Sequence, residues 1–424
     1  MRVLKIGDRG IDVQYLSLAL RRAGFDTGGI KDEFDEGVHN ALVAFQNNVG
    51  ITADGIAGEM TYERLMPYLR GYDVIVIENG DTVESIAQRT GTTVDAIRIA
   101  NPMLESFIPG AVINVPFGFD VVPTDVDWSH ELTTYVIEGL KARYPFISTA
   151  SAGESVMDNE LWTLSIGSGI KRVFYNGSHH ANEWITTPVL LKFAEDYLKA
   201  LTLGEQLEGR NPSELYSTKT LVIMPLVNPD GVDLVTGAIP TDSQYYITAR
   251  NIGAAYSSIP FPSGWKANIV GTDLNLNYPA SWETAREIKA NQGFTSPAPR
   301  DFVGSSPLSA LESRIVYNYT LNNDFALTVS MHTQGNVIYW KYLDFMPPRS
   351  EEIGRELARV SGYSLEDTPY ASSFAGYKDW FISYYNRPGY TIEIGRGTNP
   401  LPISDFDTVY PPNRRLLTEA LYLA

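Results

Sequence analysis

The sequence predicts an α/β domain at residues 126–424, behind two small modules at residues 1–70 and 71–117 and a linker at 118–125. In the first module, apolar residues recur at helical spacing. The second module has the order strand, helix, helix, strand. In the long third segment, helical stretches alternate with short apolar strands rich in β-branched residues, which predicts a sheet covered on both faces.

Composition narrows the functional classes. The chain is 44% hydrophobic and 12% aromatic, which is sufficient for packed cores. Its formal charge of −17 argues against nucleic acid and membrane partners, because phosphates and anionic lipids bind basic surfaces. Cysteine is absent, which excludes disulfides, thiol nucleophiles and thiolate metal sites. We find neither an export signal at the start nor an apolar stretch long enough to span a membrane.

The first module is predicted to be a small helical bundle. Val13, Leu16 and Leu20 fall on one helical face, and glycine-containing turns separate the helical stretches. The strings Leu4–Val13 and Gly50–Gly58 resemble the peptidoglycan-binding domain found on many wall hydrolases. This resemblance covers nearly the whole module.

The second module is predicted to form two strands around two helices. Its elements in order are Val74–Ile77, Val83–Arg89, Val94–Ala100 and Ala111–Val115. Gly80–Ala87 and Ile108–Pro116 resemble a LysM module, which implies binding to N-acetylglucosamine-containing glycans such as peptidoglycan. The alternative is a generic small α/β module.

The third segment supplies the strands and helices of the predicted sheet. In order, these are helix Leu132–Arg143, strand Val173–Tyr175, helix Trp184–Leu201, strand Thr220–Leu226, helix Ala310–Leu321, strand Ala326–Met331, helix Glu351–Val360, strand Tyr390–Ile394 and a terminal helix after Asn413. In such a sheet, chemistry is expected where strands end in loops.

Two histidines and a glutamate form a candidate metal site. His180 and Glu183 lie where a buried strand ends and a helix begins, and their i, i+3 spacing lets both reach one ion. His332 directly follows the apolar strand Phe325–Met331, where a sheet delivers side chains to a site. The simpler alternatives are a helix N-terminus with a favourably placed glutamate, and a hydrogen-bonded core histidine.

Glu393 is the candidate general base. It stands between Ile392 and Ile394 in a strand that otherwise has the pattern of a buried one, and an unpaired buried carboxylate costs several kcal/mol. The alternative is that strand alternation turns Glu393 to solvent while both isoleucines point inward.

These residues fall in motifs that resemble the zinc carboxypeptidases of the metallocarboxypeptidase A type. His180–Thr186 resembles the first ligand motif of that family, Ser330–His332 its third-ligand strand, and Asn228–Gly231 and Gly271–Asn277 two further segments. The resemblance extends over essentially all of Trp128–Ala424. It implies a mixed eight-stranded sheet flanked by helices.

The resemblance also implies a site and a mechanism. One zinc ion per chain is held by His180, Glu183 and His332, and Glu393 takes a proton from the zinc-activated water and passes it to the leaving amine. The same likeness makes Asp273 the residue that fixes a zinc-ligand imidazole, with a simple turn aspartate as the alternative.

Two positions depart from the conventional family pattern. Asn275-Leu276 stands where other members hold the terminal carboxylate of the substrate with Asn-Arg, and leucine offers neither charge nor donor. Ordinary carboxypeptidase activity is therefore not expected, although Asn275 stays a predicted substrate contact. Lys266 stands where the family has an arginine that stabilises the oxyanion, and a solvated surface lysine is its alternative.

Trp265–Asn268 and Asn399–Pro402 resemble a subgroup, the γ-D-glutamyl-meso-diaminopimelate peptidases, which cut within peptidoglycan stem peptides. This resemblance implies peptidoglycan glycan strands and stem peptides as partners. The free α-carboxylate of D-glutamate and the extra amino-acid head of diaminopimelate require both cationic and anionic partners. Arg396 is the candidate for one carboxylate, with a surface arginine as the alternative. Tyr370 approximates the mobile tyrosine of the family, with Tyr377 as the alternative.

Three functions compete at this point. The first is zinc-dependent hydrolysis of the γ-D-glutamyl–diaminopimelate bond, the second is removal of C-terminal residues from stem or other peptides, and the third is wall anchoring by an inert peptidase fold. The intact ligand set and Glu393 favour the first over the third. Without an export signal, the compartment stays open between the wall or spore and the cytoplasm of a sporulating or recycling cell.

Overall fold

The computed structural model describes residues 2–104 and 106–424, so that Met1 and Glu105 lie outside the described residues. The helices over this range are α1 (Ile11–Arg22), α2 (Glu36–Asn48), α3 (Glu59–Arg70), α4 (Val83–Thr90), α5 (Val94–Ala100), α6 (His130–Arg143), α7 (Thr186–Leu203), α8 (Pro212–Thr218), α9 (Pro229–Thr236), α10 (Gln244–Ala254), α11 (Trp282–Asn291), α12 (Leu311–Leu321), α13 (Ser350–Ser361), α14 (Tyr377–Tyr385) and α15 (Phe406–Leu423). The strands are β1 (Tyr72–Val76), β2 (Val112–Pro116), β3 (Ser148–Glu154), β4 (Glu160–Gly167), β5 (Lys171–Gly177), β6 (Lys219–Met224), β7 (Phe325–His332), β8 (Val337–Tyr339), β9 (Ser364–Glu366) and β10 (Gly389–Glu393).

The chain divides into two compact units. One consists of Met1–Asp127 with Glu131–Ser148, and the other of Trp128–His130 with Thr149–Ala424. Most of α6 therefore belongs to the same unit as the two N-terminal modules. Among the described residues, no helix combines the length and the apolar character needed to cross a bilayer.

The first unit contains the two predicted modules. Helices α1 to α3 bury the apolar face predicted from Val13, Leu16 and Leu20. In the second module, β1 pairs antiparallel with β2, and α4 and α5 lie between them in the chain. Thr82 and Thr93 start these two helices by accepting backbone N–H groups, which satisfies donors that an uncapped helix leaves free. The predicted order of strand, two helices and strand is therefore observed.

The second unit is built on a mixed sheet. Within the described residues it has eight strands in the order β3-β4-β6-β5-β7-β10-β8-β9, which confirms the expected carboxypeptidase-like architecture. The four strands β6, β5, β7 and β10 are mutually parallel, whereas β4 and β8 run antiparallel to their neighbours in this set. Of the eight residues of β7 only Ala326 is not fully buried, as expected for a parallel strand covered on both faces.

The parallel arrangement explains where the candidate site lies. Strands β5, β7 and β10 are adjacent and parallel, so that their carboxyl ends meet at one edge. The chain leaves β5 just before His180, β7 ends at His332 and β10 ends at Glu393. One edge of the sheet therefore collects residues that are more than 200 positions apart in sequence.

The terminal helix corrects one expectation. It begins at Phe406 rather than after Asn413, and it includes Pro411 and Pro412. Each proline lacks the N–H that would bond four residues back, which is why the sequence indicated a helix only after them. The helix is stabilised instead by burial of an apolar face that includes Leu416 and Leu417.

Candidate metal centre

Three predicted metal ligands converge on one point. The Nδ1 atoms of His180 and His332 lie 3.2 Å apart. Glu183 contacts both rings, with Oε1 3.0 Å from His180 Nδ1 and Oε2 2.9 Å from His332 Nδ1. All three side chains are buried. Among the described residues, this is the group of histidines and carboxylates that could hold a metal ion.

The local chain explains this convergence. After β5, residues Ala181–Glu183 form a single 3-10 turn, which places His180 and Glu183 on the same side. His332 reaches the same point from the end of β7. It lies close to the other two ligands because β5 and β7 are direct neighbours in the sheet. The backbone N–H of Thr333 donates to Glu183 Oε2 at 3.2 Å and orients that carboxylate.

The donor set fits zinc. Ligands at zinc-typical bond lengths of about 2.0–2.1 Å in tetrahedral geometry are separated by roughly 3.3 Å, close to the spacing between the two Nδ1 atoms. The two imidazole nitrogens that face each other at 3.2 Å beside a carboxylate are placed to share a cation, because each presents a lone pair when the ring proton is on Nε2. Two imidazoles and one carboxylate also leave a fourth position for water and substrate.

The outward ring nitrogen of His180 is held by another side chain. His180 Nε2 donates to Asp273 Oδ1 at 3.2 Å, so Asp273 lies behind the imidazole of a predicted ligand. A carboxylate in this position favours the tautomer whose Nδ1 faces the metal. Burial opposes ionisation of Asp273, but His180 and Lys266 lower its pKa below the ordinary value. Asn275 Nδ2 faces His332 Nε2 at 3.5 Å.

The electrostatics of the ligand cluster favour a bound cation. Burial raises the pKa of Glu183, but His180 and Lys266 outweigh this effect and hold the pKa well below its ordinary value. Burial likewise lowers the pKa of His180, whereas Glu183 and Asp273 together raise it to about 9. Glu183 and Asp273 therefore both place negative charge next to the His180 ring, with the ammonium of Lys266 beside Glu183.

Glu393 lies beside this cluster. It is paired in register with His332, because β10 runs parallel to β7, and the N–H of Ile394 donates to the carbonyl of His332 at 2.8 Å. Its side chain lines the cavity that His180 also lines, so the alternative of a solvent-facing glutamate on the outer sheet surface does not describe this structure. Burial, followed by the charge of Glu183, raises the pKa of Glu393 to about 8.

Lys266 approaches the cluster from the opposite loop. Its Nζ lies 3.0 Å from Glu183 Oε1, and its side chain is 18% exposed, which contrasts with a solvated surface lysine. Burial lowers the pKa of Lys266, but Glu183 and Asp273 raise it above the ordinary value, so that the ammonium stays charged. A cation is therefore available within the cavity next to the metal position.

Two motifs singled out in the sequence support this arrangement through backbone contacts. Asn228 Nδ2 donates to the carbonyls of His179, at 3.2 Å, and Ala267, at 3.0 Å, and so ties the first ligand segment to the Lys266 loop. Asn399 Nδ2 donates to the carbonyl of Thr333 at 3.1 Å, and Thr333 Oγ1 donates back at 2.7 Å. Through these contacts, both motifs lie next to the metal-ligand segments in space although they are distant from them in sequence.

The cavity next to the ligands contains balanced charge. Among the described residues that line it, the basic and acidic side chains are four of each kind: Lys266, Lys289, Arg300 and Lys378, and Asp273, Asp301, Asp379 and Glu393. Asn275 and Leu276 also line it. Lys266 and Arg300 also line a second cavity, so these two residues lie between the two cavities.

Two of the predicted substrate contacts, Arg396 and Tyr370, and the alternative Tyr377 lie in different places. Arg396 lines a separate depression with Asp405 and Tyr363; Gly395 has a φ of +71°, and this turn redirects the chain directly after the site strand. Tyr370 is 69% exposed next to residues that line the cavity. Tyr377 is fully buried, its hydroxyl is 3.0 Å from Thr320 Oγ1, and it is not among the described residues that line the cavity.

Sequence reasoning missed several cavity residues. Arg300 lies in a proline-rich loop without periodicity, and no pattern marked it. Lys378 and Asp379 follow Tyr377 at the start of α14, where the neighbouring aromatic residues are buried. The available signal is a charged pair within the otherwise buried start of a helix.

Comparison with known proteins adds family information to this geometry. The zinc carboxypeptidase family matches residues 133–420, the peptidoglycan-binding domain family residues 9–65, and the LysM domain family residues 75–116. The catalytic family therefore covers more than half of the chain, including all residues of the metal cluster.

Individual relatives agree with the family result. The γ-D-glutamyl-L-diamino acid endopeptidase 1 of Lysinibacillus sphaericus is 43% identical over 287 residues, which cover 68% of this chain and 70% of the relative. The uncharacterised protein YqgT of Bacillus subtilis (strain 168) is 38% identical over 282 residues, 66% of this chain and 73% of the relative. In fold, the chain is similar to bovine thrombin-activatable fibrinolysis inhibitor, with a TM-score of 0.55, 19% identity and coverage of 71% of this chain and 98% of that one.

Proposed function

The chain belongs to the zinc carboxypeptidase family, and from this premise we propose that it hydrolyses the γ-D-glutamyl–meso-diaminopimelate bond of peptidoglycan stem peptides. The observation that carries the proposal is the convergence of His180, Glu183 and His332 beside Glu393. The 43% identical relative is named for cleavage at γ-D-glutamyl-L-diamino acid bonds, and the peptidoglycan-binding and LysM domains direct the enzyme to the same polymer.

The chemistry is divided between the metal and the side chains. When bound, zinc polarises the scissile carbonyl and acidifies a water molecule. Glu393 accepts a proton from the attacking water and delivers it to the leaving amine. Glu393 is placed for both steps, because it lines the cavity beside the metal position and one carboxylate can bind and release a proton within a cycle.

Two further residues orient the reacting groups. Lys266 contributes a fixed positive charge next to the metal position, where negative charge develops on the carbonyl oxygen. Asp273 holds the His180 ring so that Nδ1 remains the ligand atom. Neither role requires movement of the backbone, because Lys266 already contacts Glu183 and Asp273 already contacts His180.

In other family members an arginine holds the terminal carboxylate of the substrate. Substrate selection by this chain is proposed to depend on the residues that stand in its place. Leu276 lines the cavity and offers no hydrogen bond, so a free C-terminal carboxylate gains little there. Arg300, between the two cavities, replaces Arg396 as the proposed partner of the free α-carboxylate of D-glutamate. A guanidinium can bind this carboxylate through two parallel hydrogen bonds.

The two N-terminal modules are proposed to raise the local substrate concentration. Each is a member of a family that binds peptidoglycan or its glycans, and tethering converts substrate capture into a local event. Their removal is therefore expected to affect insoluble wall more than small soluble stems.

A defined stem tetrapeptide, L-Ala-γ-D-Glu-meso-diaminopimelate-D-Ala, tests the proposal. We expect zinc-loaded enzyme to release the dipeptide diaminopimelate-D-Ala, identified by mass spectrometry, and a chelator to stop the release. Release of free D-Ala would instead indicate a carboxypeptidase. An unchanged tetrapeptide, with zinc present in stoichiometric amount, would indicate an inert wall-anchoring protein.

A further inference from the structure

The cavity beside the metal centre contains an ion pair that the proposed mechanism does not use. Lys378 Nζ donates to Asp379 Oδ1 at 2.6 Å and to the carbonyl of Lys341 at 2.7 Å. The two side chains of the pair are only 5% and 4% exposed, yet both line the cavity. Burying two charges is costly even when they are paired.

Backbone contacts hold this pair close to the metal ligands. The N–H of Tyr377 donates to Asn275 Oδ1 at 3.0 Å, and the N–H of Gly376 donates to Asp379 Oδ2 at 3.2 Å. A Cβ at Gly376 would lie 2.8 Å from Asp379 Oδ2 and 3.5 Å from Asn275 Oδ1, so these two oxygens share one small space. Because Asn275 also faces His332, the pair lies one residue away from the ligand shell.

The charge of the pair selects a particular kind of group. The proposed substrate has two charged groups near the scissile bond, a single carboxylate on D-glutamate and the distal head of diaminopimelate, which carries one ammonium and one carboxylate. Lys378 and Asp379 likewise present one charge of each sign. Arg300 suits the single carboxylate, whereas the Lys378–Asp379 pair complements a group that is itself neutral overall.

We propose that Lys378 and Asp379 bind the zwitterionic head of the diamino acid and thereby distinguish diaminopimelate from lysine. This inference rests on the proposed function and names the substrate class of the same site. The substrate carboxylate accepts from the remaining N–H of Lys378, and the substrate ammonium donates to Asp379, so that four charges alternate in sign. A lysine side chain supplies the ammonium alone and leaves Lys378 without an anionic partner from the substrate.

Three stem tetrapeptides test this inference on the unaltered enzyme. They contain meso-diaminopimelate, the same residue amidated at its distal carboxyl, or L-lysine. We expect kcat/KM to be about ten- to a hundredfold higher for the first than for the other two, which is the usual size of one charged hydrogen bond. Similar values for all three stems would overturn the inference but leave the proposed bond cleavage intact.

Variants then assign the effect to the pair. In K378M we expect the preference for the free over the amidated carboxyl to fall to near unity, whereas D379N should lower kcat/KM for the diaminopimelate stems without restoring activity on lysine. The matched control is K341M, because the Lys341 side chain pairs with Asp367 and offers Lys378 only its carbonyl. The control should keep the wild-type preference.

The outcomes separate recognition from structure. Equal losses of kcat/KM on the free and the amidated stem in K378M would show that Lys378 supports the fold, and would overturn the inference. Zinc content and tryptophan fluorescence identify misfolded variants, and the comparison of stems on the wild-type enzyme remains decisive in that case. If no stem is cut by the wild-type enzyme, the proposed function itself fails, and this inference with it.

Discussion

Replacement of the buried acid Glu312 by glutamine is expected to change how stability depends on pH. Glu312 lies in the first turn of α12 and is fully buried. Its Oε2 accepts from Asn268 Nδ2 at 2.9 Å, and Asn268 Oδ1 accepts the N–H of Thr272 at 3.0 Å. Through Asn268, this acid supports the loop that carries Lys266 and Asp273.

The structure gives the sign and the size of the effect. Burial raises the pKa of Glu312 from the ordinary value of 4.5 to about 7. Between these two values the folded chain keeps a proton that the unfolded chain has released, so the free energy of unfolding falls as pH rises through this window. Below it and above it, Glu312 adds no pH dependence. At about 1.4 kcal/mol for each pKa unit, the loss over the whole window is at most roughly 3.5 kcal/mol.

Urea unfolding followed by tryptophan fluorescence measures this effect, because all seven tryptophans lie in the second unit. Between pH 4.5 and 7.5, wild-type protein should lose roughly 3 kcal/mol more unfolding free energy than E312Q. Glu287, exposed on α11, provides the control E287Q, which should follow the wild type. Parallel pH profiles for E312Q and wild type would refute the reasoning.

Three further predictions concern the site. E393Q should lower kcat by about 10²- to 10⁴-fold with full zinc content, because the proton carrier is lost; a rate within a few fold of wild type would reject Glu393 as the base. D273N should weaken zinc affinity about ten- to a hundredfold, as measured by competition with a chelator, because the His180 ring loses its anionic acceptor; unchanged affinity would contradict that role. R300M should raise KM about tenfold or more for stems with a free D-glutamate α-carboxylate, but not for stems amidated at that position; equal changes on both would reject the assignment.

The metal cluster was predictable because its signals are local. His180 and Glu183 are three residues apart at the end of a strand, and His332 ends an apolar run. Each signal can be recognised without knowing the tertiary structure, since strand ends and spacing are properties of short segments. The parallel pairing of β5, β7 and β10 then brings the segments together.

The substrate contacts were less predictable because they depend on tertiary geometry. Arg396 is three residues after Glu393, but the turn at Gly395 takes it to another depression. Arg300 enters the cavity from a loop that has no periodic pattern to predict its direction. The position of Lys378 in the cavity could not be predicted from its neighbours in sequence. Its ion pair with Asp379 and its place in the cavity wall follow only from the tertiary structure.

The terminal helix shows a different reason for failure. Two consecutive prolines normally end a helix, and the sequence therefore placed its start after Asn413. In the structure, packing of the apolar face outweighs the two missing backbone hydrogen bonds, and tertiary burial is not visible to a local rule.

The most direct test is hydrolysis of the diaminopimelate tetrapeptide in ¹⁸O-labelled water, followed by mass spectrometry of both products. The expected result is one heavy oxygen on the γ-carboxylate of L-Ala-D-Glu, with an unlabelled diaminopimelate-D-Ala dipeptide. Label on any other carboxylate, or an intact tetrapeptide in the presence of bound zinc, would contradict the assignment of this metal centre to the γ-D-glutamyl bond.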